Sequence, residues 1–310
     1  MKVVFFGSSS FSLPVLQALA GSDRHQLVGV ATQPDRPSGR SRKIQPGIVH
    51  AAARELDLPL IMPEKIGSPE GLESLRSWKP DIIAVASYGQ YIPTTVLNLP
   101  PQGAVNVHPS LLPKYRGAAP LQWSIANGET ESGVTIFQVV KEMDAGAIWL
   151  QEHSSVHPDE SAVDLSDRFA ALGAKLLLRT LDLIDEGKSK PLPQDDTKAT
   201  HARKISKEDG LLDWQMSSVH LHNHIRGFQP WPGCFFRREG VMIKVWRSRP
   251  VDGQGSPGEI LSTSGDGPVV MTGNGALQLI ELQPEGKKRM SGQAFLCGCN
   301  WRVGERLVTA

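Results

Sequence analysis

Three polar side chains, Asn106, His108 and Asp144, have the residue types that acyl-transfer chemistry needs. An amide N–H can stabilise the oxyanion that develops when a carbonyl carbon is attacked, and an imidazole can move protons. A carboxylate can orient that imidazole. Ser110 is close in sequence to His108, but it is not part of the Gly-x-Ser-x-Gly pattern of a serine nucleophile. Direct attack by the amine of a substrate is therefore the more natural chemistry.

The same residues also have a structural interpretation. Asn106 and His108 can be satisfied polar residues at the end of a strand, and Asp144, followed by Ala145 and Gly146, also fits a turn. Taken singly, neither stretch distinguishes catalysis from structure. Taken together, they supply an amide donor, a proton-transfer group and a carboxylate, and that combination favours a site.

A strand ending at Pro109 would position the first two of these side chains. Alternate residues of a strand share a face, so Val105 and Val107 would face one side while Asn106 and His108 face the other. Proline cannot donate to a strand ladder, so the strand is expected to stop there. In open parallel sheets, ligand sites lie beyond the carboxyl ends of the strands, which is where these side chains would stand.

The pattern of apolar runs predicts such a sheet over the first part of the chain. Short runs typical of strands alternate with amphipathic stretches typical of helices, which indicates βαβ units and a mostly parallel, Rossmann-like sheet. We predict strands at 3–6, 27–31, 81–86 and 134–140 and helices at 14–20, 48–56 and 161–186. The fold class is therefore α/β.

The chain changes character beyond about residue 206. Short apolar runs at 241–245, 258–261, 269–271 and 277–282 are separated by turns containing Gly and Pro, which is typical of a small antiparallel sheet or barrel. Residues 187–196 carry two prolines and little apolar content. We predict a catalytic domain over 1–187, a linker over 188–205 and a smaller β domain over 206–310.

The charge of the chain limits what kind of nucleic-acid partner it can have. Thirty-three Lys and Arg against 32 Asp and Glu give a net charge of +1, which excludes a uniformly basic surface. The loop at 32–47 is locally +3, and a second group of positive residues lies in the C-terminal part. Such a loop can be a solvated surface segment or a local patch that meets a polyanion.

Several other classes of protein are not expected from the composition. Three cysteines, Cys234, Cys297 and Cys299, are too few for a disulfide framework and have no histidines at zinc-site spacing. The apolar run at the N-terminus is shorter than a signal sequence or a membrane span. No Gly-x-Gly-x-x-Gly follows the first strand, which argues against a nicotinamide cofactor. We expect a soluble cytoplasmic protein without a metal.

Longer stretches carry a resemblance to a known family. Residues 106–120, NVHPSLLPKYRGAAP, resemble the signature of the folate-dependent formyltransferases, and 131–136 with 143–146 resemble its second half. Residues 32–40, 226–233 and 282–290 are similar to the branch of this family that formylates methionyl-tRNA. The resemblance covers nearly the whole chain. One departure is GSSSF at 7–11, where the family usually has Gly-Thr-Pro-x-Phe, so the roles of Ser8 and Ser9 stay open.

The resemblance implies a function and a set of site residues. It implies a formyltransferase fold followed by an OB-like β-barrel, with 10-formyltetrahydrofolate as co-substrate and initiator methionyl-tRNA as acceptor, in a protein expected to be a monomer. Catalysis would lie on Asn106, His108 and Asp144. The folate site would include backbone near 86–90 and the loop 139–144, together with Ser110, Leu111, Leu112 and Pro113. The tRNA would be bound by Arg36, Arg40, Arg42, Lys43, Lys287, Lys288 and Arg289.

Three alternative functions fit the sequence less well. A formyltransferase acting on a sugar nucleotide or another small amine would share the three catalytic residues, but would not need the basic loop and the C-terminal barrel. A hydrolase of the same formyl donor has no use for an RNA surface. A non-catalytic RNA-binding protein would not need to keep Asn106, His108 and Asp144 intact.

Overall fold

A computed structural model of the chain describes residues 1–38 and 43–308. The chain divides into two compact units, each assembled from separate stretches of sequence. Unit 1 comprises Met1–Gly117, Glu131–Ser155 and Ser166–His201, and unit 2 comprises Ala118–Thr130, Val156–Leu165 and Ala202–Ala310. The boundaries at 187 and 206 were placed from sequence composition, and they stay a prediction.

The strands β1 to β11 lie between residues 2 and 202. They are β1 (Lys2–Gly7), β2 (Gln26–Ala31), β3 (Pro37–Ser38), β4 (Lys43–Ile44), β5 (Leu60–Ile61), β6 (Ile82–Ala86), β7 (Ala104–His108), β8 (Arg116–Gly117), β9 (Glu131–Gln138), β10 (Ile148–Ser155) and β11 (His201–Ala202). The α-helices of the described residues are α1 (Ser12–Ala20), α2 (Ile48–Glu55), α3 (Pro69–Trp78), α4 (Thr94–Leu97), α5 (Pro120–Ala126), α6 (Ala162–Asp185), α7 (Ser218–Gly227) and α8 (Gly292–Cys297).

The main sheet of unit 1 is mostly parallel. Its strand order is β10-β9-β7-β6-β1-β2-β5. Strands β5, β2, β1, β6 and β7 run parallel, and β9 pairs antiparallel with both β7 and β10. The chain leaves β1 toward β2 and β5 and then returns to β6 on the other side of β1. Such a reversal leaves a crevice at the carboxyl ends of the strands. The predicted α/β fold class is confirmed.

Central strands of this sheet are apolar on both faces because both faces are covered. Residues 3–6 of β1 and 82–84 of β6 have no solvent exposure, and all of β6 is buried. Continuous apolar runs of this kind are typical of buried parallel strands. Serine side chains cap several helices; before α3, for example, Ser68 accepts from Gly71 N, and before α7 Ser217 accepts from His220 N.

Unit 2 contains an antiparallel sheet. Its strands are β12 (Cys234–Arg238), β13 (Val241–Val251), β14 (Ile260–Ser262), β15 (Val269–Met271), β16 (Ala276–Pro284) and β17 (Met290–Ser291). They pair in the order β12-β13-β16-β15-β14, and β17 pairs with β16. The predicted antiparallel β domain is confirmed. Its core packs Trp214, Phe228 and Phe236 among aliphatic side chains from the sheet.

Candidate active site

The carboxyl ends of β1, β2 and β6 are tied together by a serine loop. Ser12 Oγ donates to Ala86 O at 2.6 Å and accepts from the backbone N–H groups of Ser8 and Ser9. Ser8 Oγ donates to Tyr88 O at 3.0 Å and accepts from Gln33 N at 3.1 Å. Ser8 therefore has a local structural role, which answers one question that the sequence left open.

His108 lies at the carboxyl end of β7 and is almost completely buried, with 4% of its surface exposed. Its Nε2 lies 3.0 Å from Tyr115 O, and because a carbonyl can only accept, Nε2 must carry the proton. Nδ1 is therefore the nitrogen that titrates, and it lies 3.7 Å from Asp144 Oδ2. Burial lowers the pKa of His108, although the Asp144 charge and the Tyr115 bond act in the opposite direction.

Asp144 belongs to the connection between β9 and β10. Its Oδ2 accepts a hydrogen bond of 2.8 Å from Gly117 N, and its backbone is left-handed, with φ of +52°. The turn that follows requires Gly146, since a Cβ there would lie 1.7 Å from Gln138 O. The tight turn thus directs the Asp144 carboxylate toward His108.

Asn106 is two residues before His108 on β7, so both side chains share a face of the strand. Its register partners are Val85 on β6 and Phe137 on β9. Asn106 Oδ1 is buried and has no hydrogen-bond partner among the described residues. Leaving a buried polar atom unpaired costs about 1–3 kcal/mol, so this amide is a natural contact for a ligand.

The loop after β7, with the expected folate residues, is held by hydrogen bonds from the strands beneath it. Thr135 Oγ1 donates to Ser110 O at 2.6 Å, and Gln151 Nε2 donates to Leu112 O at 3.0 Å. Ser110 is fully buried and its Oγ donates to Lys114 O, so its hydroxyl shapes the loop. Leu112 is also buried, whereas Leu111 and Pro113 are partly exposed.

The expected tRNA-binding residues have different environments. Arg36 is exposed and pairs with Glu64. Arg40 and Arg42 lie outside the described residues, and Lys43 is described only as backbone in β4.

The remaining expected tRNA-binding residues are in unit 2. Lys287 and Lys288 are exposed. Arg289 pairs with Glu281 and stacks at 4.7 Å over the ring of Trp246. Within residues 1–38 and 43–308, neither Lys287 nor Lys288 forms an ion pair like the one that partly neutralises Arg289.

Two residues near the site were missed by the sequence analysis. Gln194 Nε2 donates to the backbone carbonyls of Asp144 and Gly146, and Gln194 Oε1 accepts from Arg116. Arg116 belongs to the stretch 106–120 that resembles the family signature, and this position could have indicated a role near the site. Gln194 follows two prolines in a polar segment, and nothing in that composition indicates a contact with residues about 50 positions earlier.

Two negative findings concern the described part of the chain. Within residues 1–38 and 43–308, no group of three or more His, Cys, Asp or Glu side chains is arranged to hold a metal ion. Among the helices in these same ranges, none combines the length and apolar composition needed to cross a bilayer.

Comparison with known proteins identifies the family. The model of the formyl transferase family matches residues 1–181, and that of the formyl transferase C-terminal domain matches 204–300. The methionyl-tRNA formyltransferase of Trichlorobacter lovleyi is 43% identical over 307 residues, which cover 99% of this chain and 97% of that protein. The methionyl-tRNA formyltransferase of Solibacter usitatus is 42% identical over 310 residues, covering 99% and 98%.

Solved structures show the same fold at lower sequence identity. The N-formyltransferase of Helicobacter canadensis, in complex with folinic acid and dTDP-3-aminofucose, has a TM-score of 0.68 at 17% identity and covers 90% of this chain and 98% of its own. HypX of Aquifex aeolicus in complex with tetrahydrofolic acid has a TM-score of 0.63 at 18% identity, covering 96% of this chain and 47% of its own. The family models and the relatives above 40% identity show that the chain belongs to the formyl transferase family, in its methionyl-tRNA formyltransferase branch.

Proposed function

We propose that this chain transfers the formyl group of 10-formyltetrahydrofolate to the α-amine of methionine carried by initiator methionyl-tRNA. The observation that carries the proposal is the buried His108, whose titrating Nδ1 faces the Asp144 carboxylate, beside an amide at Asn106 with an unpaired oxygen. Relatives named for this reaction align along almost the whole chain. We place the reaction in the cytoplasm and expect the enzyme to act as a monomer.

The folate would be held at the carboxyl ends of the central strands of unit 1. The folate-binding residues would be Ser110, Leu111, Leu112 and Pro113 in the loop after β7, with the backbone at 86–90 and the loop at 139–144. The unpaired Asn106 amide oxygen fits a site that is completed by a ligand. Bound 10-formyltetrahydrofolate supplies the formyl carbon, whose oxygen gains negative charge as the amine attacks.

In this step Asn106 would stabilise the formyl oxygen and His108 would accept a proton. The side-chain N–H of Asn106 donates to the formyl oxygen, and a donor of this kind lowers the barrier by about 3 kcal/mol. Its Oδ1 can accept an N–H of the attacking amine, which would satisfy the unpaired atom. Burial lowers the pKa of His108, so its ring is neutral near pH 7 and Nδ1 can accept a proton.

Asp144 would act on the imidazole rather than on the substrate. When Nδ1 of His108 takes a proton, the ring becomes a buried cation, and the carboxylate at 3.7 Å stabilises that charge. The proton held at Nδ1 is then available to the nitrogen that leaves the formyl carbon. In this scheme one N–C bond forms and one breaks, and the amine proton is passed on through His108.

The tRNA would be bound by positive residues in both units. Arg36, Arg40, Arg42 and Lys43 belong to the basic loop, and Lys287, Lys288 and Arg289 follow β16. Contacts of this kind go to phosphates, so they hold the RNA in place without reading its sequence.

The reaction is tested with labelled 10-formyltetrahydrofolate and charged initiator methionyl-tRNA. Free methionine and an amino-sugar nucleotide serve as competing acceptors. We expect the label on the methionine of the tRNA. Label on the sugar nucleotide and none on the tRNA would contradict the proposal and favour a small-molecule formyltransferase.

The proposed tRNA-binding surface is tested by measuring tRNA affinity at a series of salt concentrations. We expect tRNA affinity to fall steeply as salt is raised while folate affinity changes little, because each phosphate contact releases a counterion. Replacing both Lys287 and Lys288 by Ala should reduce the salt slope by about two. The double change Glu285→Ala and Asp252→Ala, at acidic positions of the same unit, is the matched control. An unchanged slope in the lysine variant would remove these residues from the interface.

A further inference from the structure

Gln194 connects the segment after α6 to the loop that carries Asp144. Its Nε2 lies 2.7 Å from Asp144 O and 2.7 Å from Gly146 O, so both N–H groups of the amide donate to one short turn. These carbonyls belong to Asp144, whose backbone is left-handed, and to Gly146, whose place no other residue could take. A single side chain therefore clamps the backbone on both sides of Ala145.

The opposite end of the same amide is held by Arg116. Gln194 Oε1 accepts from Arg116 Nε at 3.1 Å and from Nη2 at 2.7 Å. A guanidinium only donates and backbone carbonyls only accept, so the orientation of the Gln194 amide follows from its surroundings. Arg116 is buried, and it also bonds to Asp196 Oδ1 and Thr200 O, which fixes the guanidinium and the backbone beside it.

The clamp acts on the carboxylate from two directions. Arg116 anchors Gln194, which holds the Asp144 backbone, and the next residue in the chain, Gly117, donates its N–H to Asp144 Oδ2 at 2.8 Å. A non-glycine residue with positive φ costs about 1–3 kcal/mol and persists where its surroundings hold it. The bonds from Gln194 and Gly117 supply such surroundings for Asp144.

We propose that Gln194 is a positioning residue for formyl transfer, which holds Asp144 at its working distance from Nδ1 of His108. This inference rests on the proposed function, because it takes Asp144 to be the carboxylate that assists His108. It assigns a part in the reaction to a segment that sequence composition alone marks as a linker.

The decisive variant is Gln194→Glu. A carboxylate keeps the acceptor for Arg116, and it replaces the two N–H donors with an oxygen that repels the carbonyls of Asp144 and Gly146. We expect kcat to fall about 10- to 100-fold, as for a small misplacement of a reacting group, with the KM for methionyl-tRNA and the Kd for folate within about twofold of wild type. Gln194→Ala should lose a similar factor.

The pH dependence of kcat separates positioning from a general structural role. The Asp144 charge raises the pKa of His108, so a displaced carboxylate should move the acid limb of the profile to lower pH. Leu192→Ala is the matched control, since that side chain is 72% exposed and the backbone bonds of Leu192 to Ile148 are kept. The control should keep the kcat and the pH profile of the wild type.

Two results would overturn the inference. The first is a Gln194→Glu enzyme with the kcat of the wild type, and the second is a loss of kcat in which the acid limb stays in place. If Gln194→Ala does not fold, the Gln194→Glu variant decides alone, because it keeps the contact with Arg116. A wild-type enzyme that does not formylate methionyl-tRNA would contradict the proposed function instead, so the two failures are distinguishable.

Discussion

Two histidine–aspartate pairs of unit 1, His50–Asp35 and His108–Asp144, are alike in residue type and differ in geometry. His50 Nδ1 lies 2.8 Å from Asp35 Oδ2, whereas His108 Nδ1 lies 3.7 Å from Asp144 Oδ2. In both pairs the carboxylate also accepts a backbone N–H from a glycine, Gly47 or Gly117. The surroundings of the carboxylates are therefore similar, and the difference lies in the imidazoles.

The two imidazoles use different ring nitrogens for their hydrogen bonds. His50 is bonded directly to Asp35 through Nδ1, and its Nε2 is buried without a partner among the described residues. His108 has Nε2 bonded to Tyr115 O, which leaves Nδ1 facing a carboxylate beyond hydrogen-bond distance. In the closed pair, His50–Asp35, the nitrogen without a partner in the described part of the chain is the one opposite the carboxylate, whereas in the open pair, His108–Asp144, it is the one that faces the carboxylate. Only in the open pair would a proton be taken up directly beside the carboxylate. We expect distance and bonding, more than residue type, to distinguish a structural pair from a reactive one.

The largest expected effect comes from removing the charge of the open pair. Asp144→Asn keeps the size of the side chain and an acceptor for Gly117 N, but it no longer stabilises a protonated His108. We expect kcat to fall about 10²–10⁴-fold, the range of a general acid–base contribution, with tRNA and folate affinities unchanged. Steady-state kinetics and direct binding measurements check this. A variant that retains more than a tenth of the wild-type kcat would place Asp144 outside the reaction.

Asn106→Ala should follow in size. The loss of one oxyanion donor typically costs about 10²–10³ in kcat. Because Asn106 Oδ1 has no partner among the described residues, the change should leave the free energy of unfolding within about 1 kcal/mol of wild type. Single-turnover kinetics and urea unfolding measure the two quantities. If the free energy of unfolding fell by as much as the activation free energy rose, the Asn106 amide would have a structural role instead.

Much of the fold was predictable because apolar periodicity is a local property. The predicted helix at 161–186 is observed as α6 at Ala162–Asp185, and the predicted strand at 269–271 is β15. β13 was predicted to end at 245 and runs to Val251. Its pairing with β16 shifts register twice between Val245 and Ser248, so the alternation of side chains that marks a strand is interrupted there.

The residue types of the proposed site could be read from the sequence, but their bonding could not. Asn106 and His108 at the end of β7 and Asp144 after β9 were predicted because an open sheet places its ligands beyond the ends of its strands, and their roles stay a prediction. The 3.7 Å separation and the choice of the nitrogen that titrates depend on Tyr115 O and Gly117 N, which are backbone atoms. Contacts with backbone atoms cannot be read from the types of the side chains in the sequence. The same holds for the contact between Gln194 and the turn at 144–146, which are far apart in sequence.

His224 on α7 shows what burial does without a bonded carboxylate. Its ring lies 4.2 Å from that of His220 and 5.0 Å from that of Phe228. Burial, with a smaller contribution from the His220 charge, lowers the pKa of His224 to about 4, although Asp209 acts in the opposite direction. The folded state therefore binds its proton less readily than the unfolded chain, whose histidine titrates near 6.5.

The sign of the resulting pH dependence follows from this difference. The contribution of His224 to stability is complete above about pH 6.5 and is lost as the pH falls toward 4, by up to about 3 kcal/mol. His224→Phe keeps an aromatic ring and removes the titration, so the free energy of unfolding should depend less steeply on pH between 6.5 and 4. Urea unfolding at a series of pH values measures this. Equal slopes in the two proteins would contradict the assignment.

The smallest effect is expected at the closed pair. Asp35→Asn keeps an oxygen for one of its two bonds, to Gly47 N or to His50 Nδ1, and removes the charge that both donors stabilise. The pKa of Asp35 is lowered, first by the Gly47 bond and then by His50, so its contribution to stability is present above the ordinary aspartate pKa and lost at more acidic pH. At pH 7 the variant should lose about 1–2 kcal/mol of unfolding free energy while kcat at saturating substrates stays within twofold. A fall in kcat comparable to that of Asp144→Asn would mean that the two pairs share one role, and that the difference between 2.8 and 3.7 Å does not distinguish structure from catalysis.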